Sequence, residues 1–549
     1  MPQRGFSRWE AQNLQCPGEI AGLKSKSDFY SGCIILVGLT HTEDDMTKPG
    51  FERDFVKTGI SEFDDVLGGG LAPNRVYLLH GTPGSGKTTL SLQFLIEGVR
   101  RGEKVLYVTL SETRAELMAA AQSHGLSLEG VTIFELMPED GEMASDNQYT
   151  MFQPSEVELS RTTKALLDEV ERVSPARLVV DSLSEIKLLA QSALRFRRQV
   201  MALKQHFSGR ACTVLFLDDK TSSNDEDLQL ESIAHGVISL EQLSPEYGAE
   251  RRRLSITKLR GQKYRGGYHD FTIVRGGLNV FPRIVAAEHE AKAAVPLMKS
   301  GLAPLDALLG GGVEAGTSVL LLGPAGVGKS TVALQYAVAA AQRGEGSILF
   351  SFDERTETML LRADGLGLPL RRFVDNGLIE VRSVDPAELS PGEFAHRVRT
   401  AAEGTGQRPV KVVVIDSLNG YMNAMPEERF LTSQLHELLT YLGHVGVLTF
   451  LVVAQHGLLG QTMATAVDTS YLADTVILFR YFEARGQVRQ LISVVKKRSG
   501  IHERTIREFS VSADGIAIGA PLQDFQGVLT GTPVFRGNEG ELLGLDARS

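Results

Sequence analysis

The sequence predicts an α/β fold that is built twice in tandem, each copy being a mostly parallel β-sheet with helices on both faces. First, a phosphate-binding loop pattern, Gly-x-x-x-x-Gly-Lys followed by Thr or Ser, occurs at residues 81–88 and again at residues 323–330. Second, each loop lies between an apolar strand and an amphipathic helical pattern, which is the context that this loop requires. Third, further apolar strands alternate with helical segments in both copies. This alternation is typical of a parallel sheet that is covered on both faces.

Composition and charge exclude several classes of protein. The 549 residues are 42% hydrophobic and 23% charged, and the net charge is −10. This acidic balance argues against a general nucleic-acid coat, because contacts to phosphate need a basic surface. Cys16, Cys33 and Cys212 make neither a disulfide framework nor a metal cluster. No apolar run approaches the ~18 residues that span a bilayer, so we expect a cytoplasmic protein with no membrane partner.

The repeat divides the chain into four segments. Each copy spans about 240 residues, which is within the size range of a single α/β domain. Residues 51–293 form the first module, residues 294–520 the second module, and residues 521–549 a C-terminal tail. Residues 1–50 lie outside the repeat, and we interpret this N-terminal extension either as a disordered arm or as the product of a start codon placed too early.

Each phosphate loop offers the groups that bind a nucleoside triphosphate. Glycines let backbone N–H groups converge on phosphate oxygens, and the lysine, Lys87 or Lys329, adds a positive charge at the β- and γ-phosphates. The hydroxyl residue that follows it, Thr88 or Ser330, is placed to ligate Mg²⁺. The predicted nucleotide-binding residues of the loops are Gly81, Thr82, Pro83, Gly84, Ser85, Gly86, Lys87, Thr88, Thr89, Gly323, Pro324, Ala325, Gly326, Val327, Gly328, Lys329, Ser330 and Thr331.

A third apolar strand in each module ends in an aspartate, Asp181 or Asp416. A carboxylate at this strand end, with a phosphate loop upstream, is placed to hold Mg²⁺ through water, and this is the interpretation that we favour. The alternative is that each aspartate caps the following helix, since Asp and Ser are good N-cap residues.

The second strand of each module ends at acidic residues that are candidate catalytic bases. These are Glu112, which follows Ser111, and the adjacent pair Asp353 and Glu354. A carboxylate there can face the γ-phosphate and accept a proton from an attacking water or hydroxyl group. Simple solvation at the surface is the alternative. Because serine cannot take the proton, we expect either slow hydrolysis in the first module or Glu112 as its base.

Late in each module, a strand-like run leads into a pair of cations, Lys258 with Arg260 and Lys496 with Arg498. Two cations separated by one residue on a strand point to the same face, which suits a clamp on a triphosphate. A solvated sheet edge is an equally good interpretation. The histidines form no metal-binding spacing, so no metal other than Mg²⁺ is predicted.

Taken together, these residues resemble the KaiC family, the tandem ATPases of the bacterial circadian clock, within the RecA-like superfamily. The likeness rests on both phosphate loops, on the Asp-Ser-Leu triplets at 181–183 and 416–418, and on the basic elements at 258–261 and 496–498. The resemblance implies two tandem RecA-like P-loop NTPase domains in a double-ring homohexamer, with ATP bound between subunits. The residues that would reach a neighbouring subunit's nucleotide in such a ring are Lys258, Arg260, Lys496 and Arg498.

The resemblance also implies how the two modules divide the chemistry. The first module would act chiefly as an ATPase, and the second would phosphorylate its own chain on Ser and Thr residues. The adjacent acceptors of the family fall on Ser470 and on Tyr471, which stands in place of a threonine. The alternative for Ser470 is that it packs or caps near the subunit interface. The tail at 521–549 looks like the family's regulatory tail, and protein partners of the clock or two-component type would read the signal.

Two rival functions belong to other classes. A RecA- or RadA-like DNA-dependent ATPase of recombination or repair would need basic DNA-binding loops, but residues 458–470 contain no Lys or Arg. We therefore do not expect a nucleic-acid partner. A non-catalytic, nucleotide-gated signalling scaffold would instead show neither ATP hydrolysis nor phosphate incorporation above background.

Overall fold

The computed structural model describes residues 54–136, 154–220, 230–245, 247–288, 296–404, 408–423, 430–455, 471–484, 486–523, 525–530 and 534–535. The N-terminal extension and Ser470 lie outside these ranges, as do residues 456–469 and 536–549. The expectations for those segments therefore stay predictions.

Within the described ranges, the first module contains a nine-stranded sheet with the order β3-β2-β4-β5-β1-β6-β7-β8-β9. The strands are β1 Val76–Gly81, β2 Val105–Thr109, β3 Thr132–Glu135, β4 Arg177–Asp181, β5 Thr213–Asp219, β6 Gly236–Leu243, β7 Arg251–Leu259, β8 Tyr268–Val274 and β9 Gly277–Phe281. The six strands from β3 to β6 in this order run parallel. The last three strands add antiparallel neighbours at one side.

The described part of the second module repeats this sheet with the order β14-β13-β15-β16-β12-β17-β18-β19-β20. Its strands are β12 Ser318–Gly323, β13 Gly346–Ser351, β14 Ile379–Ser383, β15 Val410–Asp416, β16 Leu448–Ala454, β17 Thr475–Ala484, β18 Gln487–Lys497, β19 Arg507–Ser512 and β20 Gly515–Pro521. Two short antiparallel pairs stand apart from the large sheets, β10 Leu297–Met298 with β11 Val313–Glu314, and β21 Phe525–Gln526 with β22 Val534–Phe535.

Helices occupy the connections between the strands. In the first module they are α1 Ser61–Val66, α2 Lys87–Arg100, α3 Arg114–Ser123, α4 Pro154–Val173, α5 Leu183–Ala190 and α6 Ala193–Phe207. In the second module they are α7 Ala303–Leu308, α8 Lys329–Gln342, α9 Thr356–Gly365, α10 Leu370–Asp375, α11 Pro391–Glu403, α12 Leu418–Asn423 and α13 Leu431–His444. Single turns of 3₁₀ helix occur at Ala286–Glu288 and Val528–Thr530.

Both faces of each sheet are covered, because the central strands are apolar on both sides. In β1, Tyr77 and Leu79 belong to one hydrophobic cluster, and Val76 and Leu78 belong to the other. Successive side chains of a strand point to opposite faces, so a continuous apolar run needs a layer of helices on each face. The core of the second module divides in the same way. The predicted fold of two tandem α/β units is therefore confirmed.

The two modules share contacts within the compact unit Asp54–Ser549. Strand β8 carries Asp270, whose carboxylate accepts a hydrogen bond of 2.7 Å from the backbone N–H of Gly392, in the first turn of α11. A carboxylate is stabilised there by the helix dipole. The backbone N–H of Ala286 likewise donates to the carboxylate of Glu437 on α13, at 3.0 Å.

Parallel register brings the polar ends of the central strands to one edge of each sheet. Gly81 at the end of β1 pairs with Asp219 at the end of β5, and Thr109 at the end of β2 pairs with Asp181 at the end of β4. In the second module, Gly323 pairs with Ala454. Ligands of open α/β sheets bind at this carboxyl edge, and the phosphate loops lie there.

Candidate nucleotide-binding sites

Glycines shape each phosphate loop. Gly84 and Gly86 have φ angles of 78° and 97°, and Gly326 and Gly328 have 75° and 95°. Such left-handed backbone is strained for residues with a side chain. Space is also limited, because a Cβ atom on Gly86 would lie 2.8 Å from the Cδ1 atom of Ile273. The two loops therefore have the same backbone course for the same physical reason.

Within the described residues, no side chain caps the helix that follows each loop. Helices α2 and α8 begin at Lys87 and Lys329, and neither has a side-chain cap or an acidic residue in its first turn. The N–H groups of a helix's first turn, together with the helix dipole, favour an anion at this position. The Ser85 hydroxyl in the first loop is buried and has no hydrogen-bond partner among the described residues. These features fit the phosphates of a nucleotide.

The loop lysines are buried and contact their own loops. The Nζ atom of Lys87 donates to the carbonyl oxygens of Gly81 and Thr82, at 2.9 and 3.0 Å. Lys329 donates to the equivalent carbonyl oxygens of Gly323 and Pro324, at 2.8 and 2.6 Å. Burial lowers the pKa of Lys329 to about 8, although the nearby carboxylate of Asp416 opposes this shift.

The structure brings Thr88 next to Asp181 and Ser330 next to Asp416. Burial raises the pKa of both aspartates, and hydrogen bonds from Thr88 and Ser330 are among the contacts that oppose this shift. One hydroxyl and one carboxylate in contact are the oxygen ligands that Mg²⁺ takes beside a bound triphosphate. The residue that precedes helix α5 is Ser182, so Asp181 faces the phosphate loop and does not cap that helix.

The candidate bases are in different environments in the two modules. The Thr109 hydroxyl donates to the carbonyl oxygen of Glu112 at 2.7 Å, and the Ser351 hydroxyl donates to that of Glu354 at 2.7 Å. Glu112 and Glu354 thus occupy equivalent turns. Burial and then the carboxylate of Asp181 are the largest of the effects that raise the pKa of Glu112.

In the second module the equivalent carboxylate is paired with a cation. Arg362 on α9 forms two hydrogen bonds to Glu354, with N–O distances of 3.1 and 2.7 Å. The neighbouring Asp353 accepts a hydrogen bond of 2.5 Å from the hydroxyl of Ser417. Both candidate bases of the second module, Asp353 and Glu354, therefore accept hydrogen bonds from other side chains.

Each basic pair lies near the amino-terminal ends of the parallel strands, whereas the phosphate loop of the same module lies at their carboxyl ends. Lys258 pairs across the sheet with Val237, near the start of β6, whereas the loop follows the end of β1. Lys258 and Arg260 both contact the carbonyl oxygen of Ser232, each at 3.2 Å. The two cations thus lie together, as the spacing predicts, but not at their own nucleotide site.

The second module repeats this arrangement. The Nζ atom of Lys496 donates to the carbonyl oxygen of Ala473 at 2.8 Å, and Arg498 donates to that of Tyr471 at 2.8 Å. The side chain of Tyr471 is 54% exposed. In both modules the strand that carries the cations has a β-bulge just before the lysine, which is a common way to redirect side chains.

Sequence reasoning missed three residues that shape these sites, which are Tyr107, Asp219 and Arg362. The Nζ atom of Lys87 forms an ion pair with Asp219 at 2.8 Å, and the Tyr107 hydroxyl donates to Asp181 at 2.5 Å. Asp219 ends a buried strand at the ligand edge, so its position in the predicted sheet is a signal that could have identified it. Tyr107 lies in an apolar strand pattern and Arg362 lies in the surface pattern of a helix. Neither pattern indicates a functional residue.

Two α/β units, each with a strand, a glycine loop, a helix and a carboxylate at the end of the strand two positions away in the sheet, define a P-loop ATPase. The family model described as the KaiC ATPase matches residues 56–284 and again residues 298–523. The chain therefore belongs to the KaiC family, and it is a KaiC-like ATP-binding protein. The resemblance inferred from the motifs is confirmed.

Named relatives match over most of their length. The chain is 27% identical over 489 residues to the circadian clock oscillator protein KaiC of Parathermosynechococcus lividus, covering 87% of each chain. It is 26% identical over 501 residues to the circadian clock protein KaiC3 of Synechocystis sp. PCC 6803, covering 89% of this chain and 96% of the relative. None of the helices in the described ranges is long and apolar enough to cross a bilayer.

Proposed function

We propose that this protein hydrolyses ATP with Mg²⁺ in its first module and transfers phosphate to its own side chains in its second module. It would work as a cytoplasmic homohexamer whose nucleotide and phosphorylation states are read by protein partners, as in signalling or timekeeping. The observation that carries the proposal is the duplicated arrangement of a buried loop lysine beside a paired hydroxyl and carboxylate. The proposed modules are residues 51–293 and 294–520, and residues 521–549 are the regulatory tail.

The side chains around each phosphate loop have distinct proposed roles. Lys87 and Lys329 would leave their loop carbonyls to bind the β- and γ-phosphates, because a triphosphate offers a stronger anionic partner. Thr88 with Asp181, and Ser330 with Asp416, would hold Mg²⁺. When bound, the metal neutralises charge that develops on the phosphates.

Glu112 is the proposed base of the first module. It lies at the carboxyl edge of the sheet, and burial together with the Asp181 carboxylate raises its pKa. A carboxylate with a raised pKa is a better proton acceptor while it stays ionised at the working pH. Glu112 would hold the attacking water and take its proton.

The position of the basic pairs supports a ring of subunits. Lys258 and Lys496 lie at the edge opposite to their own phosphate loops. In a head-to-tail ring, that edge would face the loop of the next subunit. Arg498 contacts the backbone of Tyr471, which is one of the two proposed acceptors, so acceptor and cations would approach the same neighbouring nucleotide.

Incubation with γ-labelled ATP tests the proposal, followed by mass-spectrometric mapping of the label. Wild type should be compared with Lys329→Ala, Ser470→Ala and Tyr471→Phe, and the ring size should be measured by native mass spectrometry. We expect label on Ser470 or Tyr471 that disappears in Lys329→Ala. Label that is unchanged in both acceptor variants would move the acceptor elsewhere.

A second candidate function, a nucleotide-gated scaffold without turnover, is favoured by the Arg362–Glu354 pair. Because Asp353 is also hydrogen-bonded, the second module could bind ATP and change shape without transferring phosphate. The variant Lys87→Ala, in which the first loop is disabled, separates the autokinase from the scaffold when it is incubated with γ-labelled ATP. If it releases labelled phosphate only at the background rate and incorporates none into the protein, the result favours a scaffold role for the second module.

A further inference from the structure

The first module contains a buried tyrosine that contacts Asp181, the proposed Mg²⁺-binding aspartate. The hydroxyl of Tyr107 on β2 donates to the Oδ2 atom of Asp181 on β4, at 2.5 Å. Tyr107 is fully buried and Asp181 is 8% exposed. The Ser91 hydroxyl, on the helix that follows the phosphate loop, lies within hydrogen-bonding reach of Tyr107. The contact thus joins α2, β2 and β4 immediately behind the loop.

At the equivalent positions, all of which the structure describes, the second module has no such contact. Strand register places Leu349 where the first module has Tyr107, because Thr109 pairs with Asp181 and Ser351 pairs with Asp416. Counting from the loop lysines, Ala333 stands where the first module has Ser91. The same sheet therefore has a polar contact behind the aspartate in one module and apolar side chains, Leu349 and Ala333, in the other.

We propose that Tyr107 is a positioning residue that holds the Asp181 carboxylate in the orientation that binds Mg²⁺, and that it does so in the first module alone. This inference rests on the proposed Mg²⁺-dependent ATP binding of that module. The tyrosine ring is packed in the hydrophobic core with Tyr77 and Val179, so its hydroxyl has a fixed place. A carboxylate that accepts a fixed donor on one oxygen cannot rotate freely, and its other oxygen would stay available to hold Mg²⁺.

Loss of an outer hydrogen bond to a metal-binding side chain typically weakens metal binding about 10- to 100-fold. Tyr107→Phe removes the hydroxyl and keeps the ring. In a Lys329→Ala background, which confines nucleotide to the first module, we expect the Mg²⁺ dissociation constant of the protein–ADP complex to rise about 10-fold or more. ADP affinity in EDTA should stay within about twofold, because the Tyr107 hydroxyl donates its hydrogen bond to Asp181. Calorimetric titration with MgCl₂ measures both quantities without turnover.

Tyr77→Phe is the matched control. Tyr77 is also buried in the first sheet, and its hydroxyl donates to the carbonyl oxygen of Ala72 at 2.9 Å, away from Asp181. This variant also loses one tyrosine hydroxyl and its hydrogen bond, here a partly buried one to the backbone, so its Mg²⁺ affinity should equal that of the parent. If both variants weaken Mg²⁺ binding equally, the effect is one of general stability and the proposal is wrong.

A reciprocal variant tests the idea from the other side. Ala333→Ser with Leu349→Tyr places the same two hydroxyl groups behind Asp416, and in a Lys87→Ala background it should tighten Mg²⁺ binding in the second module. The proposal is overturned if Tyr107→Phe leaves the Mg²⁺ dissociation constant within twofold of the parent. If the parent itself takes up no Mg²⁺ with ADP, the proposed ATP-dependent function of the first module fails instead.

Discussion

The side-chain nitrogen of Lys87 lies 2.8 Å from a carboxylate oxygen of Asp219, whereas the strand position equivalent to Asp219 in the second module holds Ala454. The two phosphate loops are alike in backbone, but among the described residues Lys87 forms an ion pair with a carboxylate and Lys329 does not. An incoming triphosphate must therefore displace Asp219 in the first module, whereas alanine stands at the equivalent strand position in the second.

Asp219→Asn should tighten ATP binding in the first module. The variant removes a competitor for Lys87 and a negative charge near the phosphates, and a partly buried pair of this kind contributes roughly 1 kcal/mol, or about fivefold. Fluorescence titration with a labelled ATP analogue, in a Lys329→Ala background, measures the effect. The matched change Ala454→Asp should weaken binding in the second module. Weaker binding by Asp219→Asn would show that the carboxylate orients the lysine for the nucleotide.

Arg362→Ala should increase phosphoryl transfer or hydrolysis in the second module. Glu354 must break its ion pair with Arg362 before it can accept a proton, so removing the cation frees the base. Single-turnover rates with labelled ATP in a Lys87→Ala background test this, and a gain of about tenfold is expected from a freed base. Adding Glu354→Gln should abolish the gain.

Arg371→Ala is the control for that experiment. Arg371 pairs with Asp364 at the surface, at 3.2 Å, and its removal changes the net charge by the same amount. We expect no change in rate. A gain of similar size in both variants would assign the effect to net charge and leave Glu354 without a catalytic role.

The pH dependence of ATP hydrolysis in the first module should report Glu112. Its pKa is raised above the ordinary value of 4.5, chiefly by burial and then by the Asp181 carboxylate. The ionised form is the base, so the rate should rise with pH through this raised pKa and level off above it. Steady-state profiles of the Lys329→Ala protein test the direction. Glu112→Gln should lower the hydrolysis rate about 100-fold and should remove the fall in rate at acidic pH. If the rate of this variant still falls at acidic pH, another group titrates.

Nucleotide binding in the second module should weaken in alkaline solution. Burial lowers the pKa of Lys329 to about 8, so in the free protein the lysine loses its charge as pH rises through that value. Because ATP binds the charged form, its apparent dissociation constant should be about tenfold higher at pH 9 than at pH 7. Titrations at the two pH values in a Lys87→Ala background measure this.

Lys329→Arg provides the control, since arginine stays charged throughout this range. Its affinity will differ from that of wild type, but it should not change between pH 7 and pH 9. A pH-dependent loss that persists in Lys329→Arg would place the titrating group elsewhere.

The sequence by itself determined the doubled α/β fold, both phosphate loops and the pairing of Thr88 with Asp181 and of Ser330 with Asp416. These features follow from local patterns, because glycines at fixed offsets and apolar strands specify a loop and its sheet within a short stretch of chain. A strand end that carries a carboxylate then falls at the ligand edge by topology alone.

Only the tertiary structure decided what surrounds those groups. Asp219 and Lys87 are distant in sequence, as are Tyr107 and Asp181, and they meet because parallel register sets which residues of neighbouring strands are adjacent. Register also placed Lys258 at the edge opposite to its own phosphate loop. The spacing of one chain segment indicates which way side chains point, but side-chain partners come from other strands and helices. Local patterns distinguish the candidate bases of the two modules, but the contacts that surround those bases and the loop lysines come from the tertiary structure.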